Sequence, residues 1–140
     1  MKINWARFIV GILVVTLICF LSDGFYHEKL AMADWTAVYE NLGAKQPEAH
    51  SVSLAYFAIF ELGRGILAMT LYVLMRGPCG AGPKTAAWAG LVVWIAFSLT
   101  GPAQFIPLGF FSNALWIKTA GFQLITSIVA TLAGAALYKD

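Results

Sequence analysis

Glu61 and Arg64 are the residues whose chemistry fits their surroundings worst. They stand three residues apart in the stretch 57–69, Phe-Ala-Ile-Phe-Glu-Leu-Gly-Arg-Gly-Ile-Leu-Ala-Met, inside an apolar run long enough to cross a bilayer. Ionisable groups at that depth are costly and face the interior of a helix bundle rather than lipid. A single uncompensated charge there costs about 2.5–3.5 kcal/mol on insertion scales. At i,i+3 on a helix the two can neutralise each other and tie neighbouring helices through hydrogen bonds. The rival chemistry is a proton or cation relay centred on Glu61. A relay needs a carboxylate that changes protonation, and an adjacent cation opposes that change, so helix glue is the preferred reading. If the two residues simply compensate, changing either one to Leu destabilises the fold and changing both restores it.

Gln123, Thr126, Ser127 and Ser98 are the groups that could answer this pair. Counted from the start of its own apolar run, Gln123 lies at the level of Glu61, and Thr126 and Ser127 at the level of Arg64. Ser98 reaches a similar depth on a run of opposite direction. The expected site is an intramembrane polar cluster of Glu61, Arg64, Gln123, Thr126, Ser127 and Ser98. Gly63 and Gly65 point to nearly opposite sides of the helix, so two neighbours can come close. Ala130 and Gly134 form a small-xxx-small face of the kind that packs helices tightly.

Other chemistries find little support. His27 and His50 are the only histidines, both at a span boundary, and solvated interfacial side chains are the expected state. No Glu-x-x-His motif supports a di-iron centre, and there is no nucleophile elbow or phosphate loop. Cys19 and Cys79 fall on opposite sides of the expected topology and form no Cys-x-x-Cys pair. No catalytic residue, metal site or cofactor is expected. Phe105, Phe110, Phe111 and Trp116, with Trp35 nearby, make an uncharged aromatic surface suited to interfacial anchoring or to docking on a larger membrane assembly.

The elements that must position these residues are membrane helices. Hydrophobic residues make up 60% of the 140 and charged residues only 11%, against averages of roughly 45–50% and 25% in soluble proteins. The net charge of +2 is scattered along the chain and excludes a nucleic-acid surface. One domain of all-α membrane class is expected, with four transmembrane helices at about 5–22, 51–75, 84–107 and 113–138. An amphipathic interfacial helix, about 28–42, carries Ala31, Trp35, Val38 and Leu42 at helical spacing and stops at Gly43. Asp23, Glu28, Asp34, Glu40 and Glu48 make the connection 23–50 an acidic, solvated loop. The third span runs through Pro102, with a kink, to about Pro107. The alternative is a short helix followed by an uncharged re-entrant segment, Gly101–Phe111. Lys2, Arg7, Arg76, Lys84 and Lys139 at one set of ends, against Lys29, Lys45 and Lys118 at the other, predict cytoplasmic termini in a bacterial inner membrane. Trp94 is the one tryptophan away from an interface.

Gly24-Phe25-Tyr26 after the first span, Trp35 in the short helix, Gly90-Leu-Val-Val-Trp-Ile-Ala-Phe97, and Leu115-Trp-Ile-Lys118 leading to Gly121 give the chain a further character. In these motifs it resembles the four-span bacterial membrane proteins grouped as domain-of-unknown-function family 1761. The likeness covers nearly the whole chain. It implies the four-span topology and no activity; the acidic outer helix and the Glu61/Arg64 pair are not features of it. The expected function is that of a non-enzymatic membrane protein, an accessory or structural subunit or a self-associating bundle. Its partners are the lipid bilayer and other membrane subunits or further copies of itself. The alternatives are a small proton- or cation-coupled transporter using Glu61, and a lipid-modifying membrane enzyme with His27 or His50 as base.

Overall fold

Four helices long and apolar enough to cross a membrane form an up-and-down bundle. The structure is a computed structural model and describes residues 3–43 and 51–138. Lys45, Glu48 and His50, named above, lie outside the described residues. Helix α1 spans Trp5–Phe25 and continues without a break as a π-helical turn, Tyr26–Leu30. Helix α2 is Met32–Asn41, α3 is Ser51–Cys79 and α4 is Pro83–Trp94. A second π-helical turn, Ile95–Thr100, carries α4 into the short α5, Gly101–Ala103. Helix α6, Asn113–Leu137, completes the bundle. Among the described residues there is no strand.

The all-α membrane class is as the sequence predicts, but three boundaries move, the second crossing running on through Pro78 to Cys79 rather than ending near residue 75. The first crossing does not stop near Ser22 but runs on through Leu30: residues 28–30, expected to open the interfacial helix, belong to the first helix instead, and α2 is correspondingly shorter. The third crossing passes through Pro102 as expected. It ends at Ala103 rather than Pro107, and turns occupy 104–109. The π-helical turn just before Pro102 is the local adjustment that lets a proline sit in a membrane helix. Side chains and glycines set the other ends. Asn4 Oδ1 accepts from Arg7 N at the start of α1, and Ser112 Oγ accepts from Leu115 N at the start of α6. Gly43, at φ +63°, stops the chain after α2.

Glycines decide which helices touch. Helix α1 lies between α3 and α6, and α4 closes the ring by packing on both of them. Gly65 of α3 packs so tightly on α1 that an added methyl would meet Thr16 Oγ1 and stand 2.8 Å from the Ile12 carbonyl oxygen. Gly134 of α6 faces α1 in the same way, where an added methyl would stand 2.8 Å from Gly11 O, and Gly90 of α4 faces α6, where one would stand 2.8 Å from Ser127 O. Gly134 with the fully buried Ala130 is thus a packing face within the bundle. Gly63 meets nothing, so only one of the two glycines beside Arg64 serves a close approach.

Ile12, Val15, Cys19, Met69, Tyr72, Val73, Ala86, Ala89 and Val93 fill the interior of the end that carries the termini. Tyr26, Ala31, Val38 and Leu115, with Trp35, Phe111 and Phe122 against them, form a second apolar group that seats α2 on the other end. Trp94, the tryptophan out of register with an interface, is a helix tie: its Nε1 donates to Ala120 O at 2.7 Å, joining α4 to α6. Trp116 Nε1 donates to Leu99 O at 3.1 Å and makes the same connection nearer α2. Buried hydrogen bonds between membrane helices contribute about 0.6 kcal/mol on average and up to about 1.7. Trp94→Phe should therefore lower unfolding stability in detergent by about 1 kcal/mol, whereas Trp88→Phe, at an exposed site, should leave it unchanged.

Candidate functional site: a buried charge network across three helices

Arg64 is completely buried, at 0% exposure, and its guanidinium joins three helices. Nη1 donates to both Glu61 oxygens, at 3.0 and 3.1 Å, one turn back on α3. The same nitrogen donates to Asp23 Oδ2 of α1 at 2.7 Å. Nη2 donates to Ser127 Oγ of α6 at 2.9 Å. Gln123, one turn before Ser127, donates from Nε2 to Asp23 Oδ2 at 2.6 Å and closes the α1–α6 side. Thr16 Oγ1 adds a long bond, 3.4 Å, to the Glu61 backbone carbonyl. Glu61 is 4% exposed and Asp23 7%.

The expected pairing of Glu61 with Arg64 is present, and Gln123 and Ser127 answer it. Thr126 and Ser98 do not. Thr126 is buried, but its hydroxyl donates to Phe122 O in its own helix at 3.3 Å. Ser98 is buried in the π-helical turn of the third crossing and makes no bond to the network. The member missing from the expectation is Asp23, read above as part of a solvated acidic loop. It sits inside α1 because the helix continues past it. The signal was there: Ile12, Val15, Cys19, Asp23 and Tyr26 recur at spacings of three and four, and all five are buried.

The network lies between the bundle's middle and the α2 end. Glu61 and Arg64 fall in the first half of the crossing Leu54–Cys79, and Asp23 in the last third of Trp5–Leu30. Two carboxylates therefore meet one guanidinium, and the second carboxylate spoils the simple two-residue compensation. Two buried polar atoms of the network, Asp23 Oδ1 and Arg64 Nε, have no hydrogen-bond partner among the described residues.

The aromatic surface divides. Phe105 and Phe110 are exposed and pack edge-to-face, 5.7 Å between centroids. Phe111 and Trp35 turn inward, 6.1 Å apart, as part of the seat for α2. Trp116 is half-buried and committed to its bond with Leu99. His27 is half-buried beside the rings of Tyr26 and Trp35, at 5.7 and 5.0 Å, rather than free in solvent. An exposed ion pair, Lys118 Nζ to Asp34 Oδ2 at 3.0 Å, also links α6 to α2; pairs of this kind contribute about 0–1 kcal/mol. Cys19 is buried and Cys79 exposed, and both are free. Among the described residues no three His, Cys, Asp or Glu side chains are grouped to hold a metal ion. Comparison with protein families, with characterised proteins and with solved structures finds no match for this chain.

Proposed function

We propose that this chain is a non-enzymatic integral membrane protein that serves as a structural or accessory subunit, or as a self-associating bundle. In this reading it sits in a bacterial inner membrane with both termini cytoplasmic. The observation that supports it best is the closure of the charge network. Arg64 has no exposure to solvent, and its two terminal nitrogens are committed to α1, α3 and α6. Such an arrangement fixes how three helices sit against one another. The exposed Phe105 and Phe110 at the α2 end are then the residues offered to a partner subunit or a second copy. The likeness to the four-span family noted from the sequence would add a shared topology and no activity.

One observation favours a second reading, the small proton- or cation-coupled carrier. Asp23 gives the network one carboxylate more than its cation balances. Reconstitution separates the two. In liposomes loaded with a pH-sensitive dye, the structural reading expects the protein to carry no more proton, sodium or potassium flux than empty vesicles. Flux that is present in the native protein and lost in Glu61→Gln would establish the carrier instead.

A further inference from the structure

We propose that Asp23 and Glu61 together hold one exchangeable proton, taken up from the α2 side of the bundle alone. This goes beyond the structural reading and does not depend on it.

The charge balance comes first. Around the network, α3 contributes Glu61 and Arg64, and α1 contributes Asp23 with Cys19 and His27 one turn to either side. Helix α6 contributes the neutral Gln123 and Ser127, and the third crossing only the buried Ser98. Lys118 is exposed and paired with Asp34, and Lys29 is exposed. With both acids ionised, the network carries a formal charge of −1 in an apolar bundle, a state that membrane burial penalises heavily. One proton cancels it.

The geometry points the same way. Both carboxylates converge on a single nitrogen, Arg64 Nη1. Asp23 Oδ2 lies 2.7 Å and Glu61 Oε2 3.0 Å from that nitrogen, and two like charges crowded on one cation disfavour ionisation of both. On Asp23, Oδ2 already accepts from Arg64 and Gln123, whereas Oδ1 is buried and without a partner among the described residues.

Access is one-sided. From the network toward the termini the interior is Cys19, Val15, Met69 and Ala68, all nearly or fully buried, with the Gly11–Gly134 approach beyond them too tight to admit a methyl group. Toward α2 the next turn of α1 after Asp23 brings His27, half-buried, and Gln123 is itself only partly buried. An imidazole at that place can pass a proton between water and the carboxyl pair. The step is one of binding: an O–H bond forms on a carboxylate oxygen as a proton leaves water or the imidazolium, and no electrons move. Entry from the α2 side alone makes the site report the proton concentration of one compartment without conducting.

Infrared difference spectroscopy tests this on the full-length protein in lipid nanodiscs, titrated from acid to alkaline pH in H2O and in D2O. The expected result is a protonated-carboxyl band that shifts in D2O, fades as pH rises, and is absent in Glu61→Gln and in Asp23→Asn. Glu61→Gln keeps a hydrogen-bonding group beside Arg64 and carries the test if Asp23→Asn fails to fold. No such band, or a band that survives in the folded variants, overturns the site. Loss of the native band on adding sodium at fixed pH also overturns it, and assigns the place to a metal cation. Dye-monitored proton uptake after a pH jump tests the route: His27→Phe should slow uptake at least tenfold while the total stays at one proton per chain. An unchanged rate overturns the α2-side entry.

Discussion

Arg64→Met should destabilise the bundle by about 3–5 kcal/mol, the range found when one partner of a buried ion pair is removed and the other is stranded. Here the loss is compounded, because two carboxylates lose the one cation they pair with among the described residues and Ser127 loses its donor. Glu61→Gln should cost far less. It leaves Asp23 and Arg64 as a neutral pair at 2.7 Å and keeps an acceptor beside Nη1. The ordering Arg64→Met far above Glu61→Gln is therefore the expected outcome of unfolding measurements in mixed micelles. The double change of Glu61 and Arg64 to Leu, which a two-residue pairing predicts to restore the fold, should fail to do so. It strands Asp23 in the apolar interior with, among the described residues, Gln123 alone as its partner. Recovery by that double variant would return the network to a simple pair and remove Asp23 from the account.

Gly65→Ala should be the most damaging single-methyl addition beside the network, with a cost at the upper end of the about 1–3 kcal/mol typical of overpacking. The added carbon would press on Thr16 Oγ1 and on the Ile12 carbonyl oxygen at 2.8 Å. The second of these is backbone, so relief requires α1 and α3 to separate. That separation would also lengthen the Arg64–Asp23 bond, which joins the same two helices. Gly63→Ala is the control. It meets nothing within 4 Å, and alanine is the better helix former by roughly 0.5–1 kcal/mol, so this variant should be neutral or slightly stabilising. Equal losses at the two positions, read from the same unfolding assay, would show that the close α1–α3 approach is not what holds Gly65.

The four crossings were legible in the sequence because hydropathy alone decides them: each is long, apolar and poor in charge. Glu61 and Arg64 were legible for the same reason, as charges inside such a run. Asp23 was not, because Asp-Gly following an apolar segment reads as a turn. Only tertiary packing, with α2 seated over the end of α1, makes it worthwhile for the helix to continue through residues 26–30. The depth matching that placed Gln123 and Ser127 correctly could not place Ser98 or Thr126, since depth says nothing about which face of a helix a side chain occupies. Thr126 is spent on its own helix. Trp35 likewise looked like a surface anchor, and only the path of α2 shows that it is half-buried against Phe111 and His27.

The most direct measurement is a double-mutant cycle between Asp23→Asn and Arg64→Met, with stability read by steric trapping in a lipid bilayer. With Arg64 present, Asp23→Asn removes a charge-assisted bond and should destabilise. In the Arg64→Met background the same change relieves a stranded carboxylate and should be neutral or stabilising, giving a coupling of about 2 kcal/mol, within the range seen for groups in one polar network. Effects that add to within about 0.5 kcal/mol would contradict the central claim that Asp23, Glu61 and Arg64 act as a single joint between the helices.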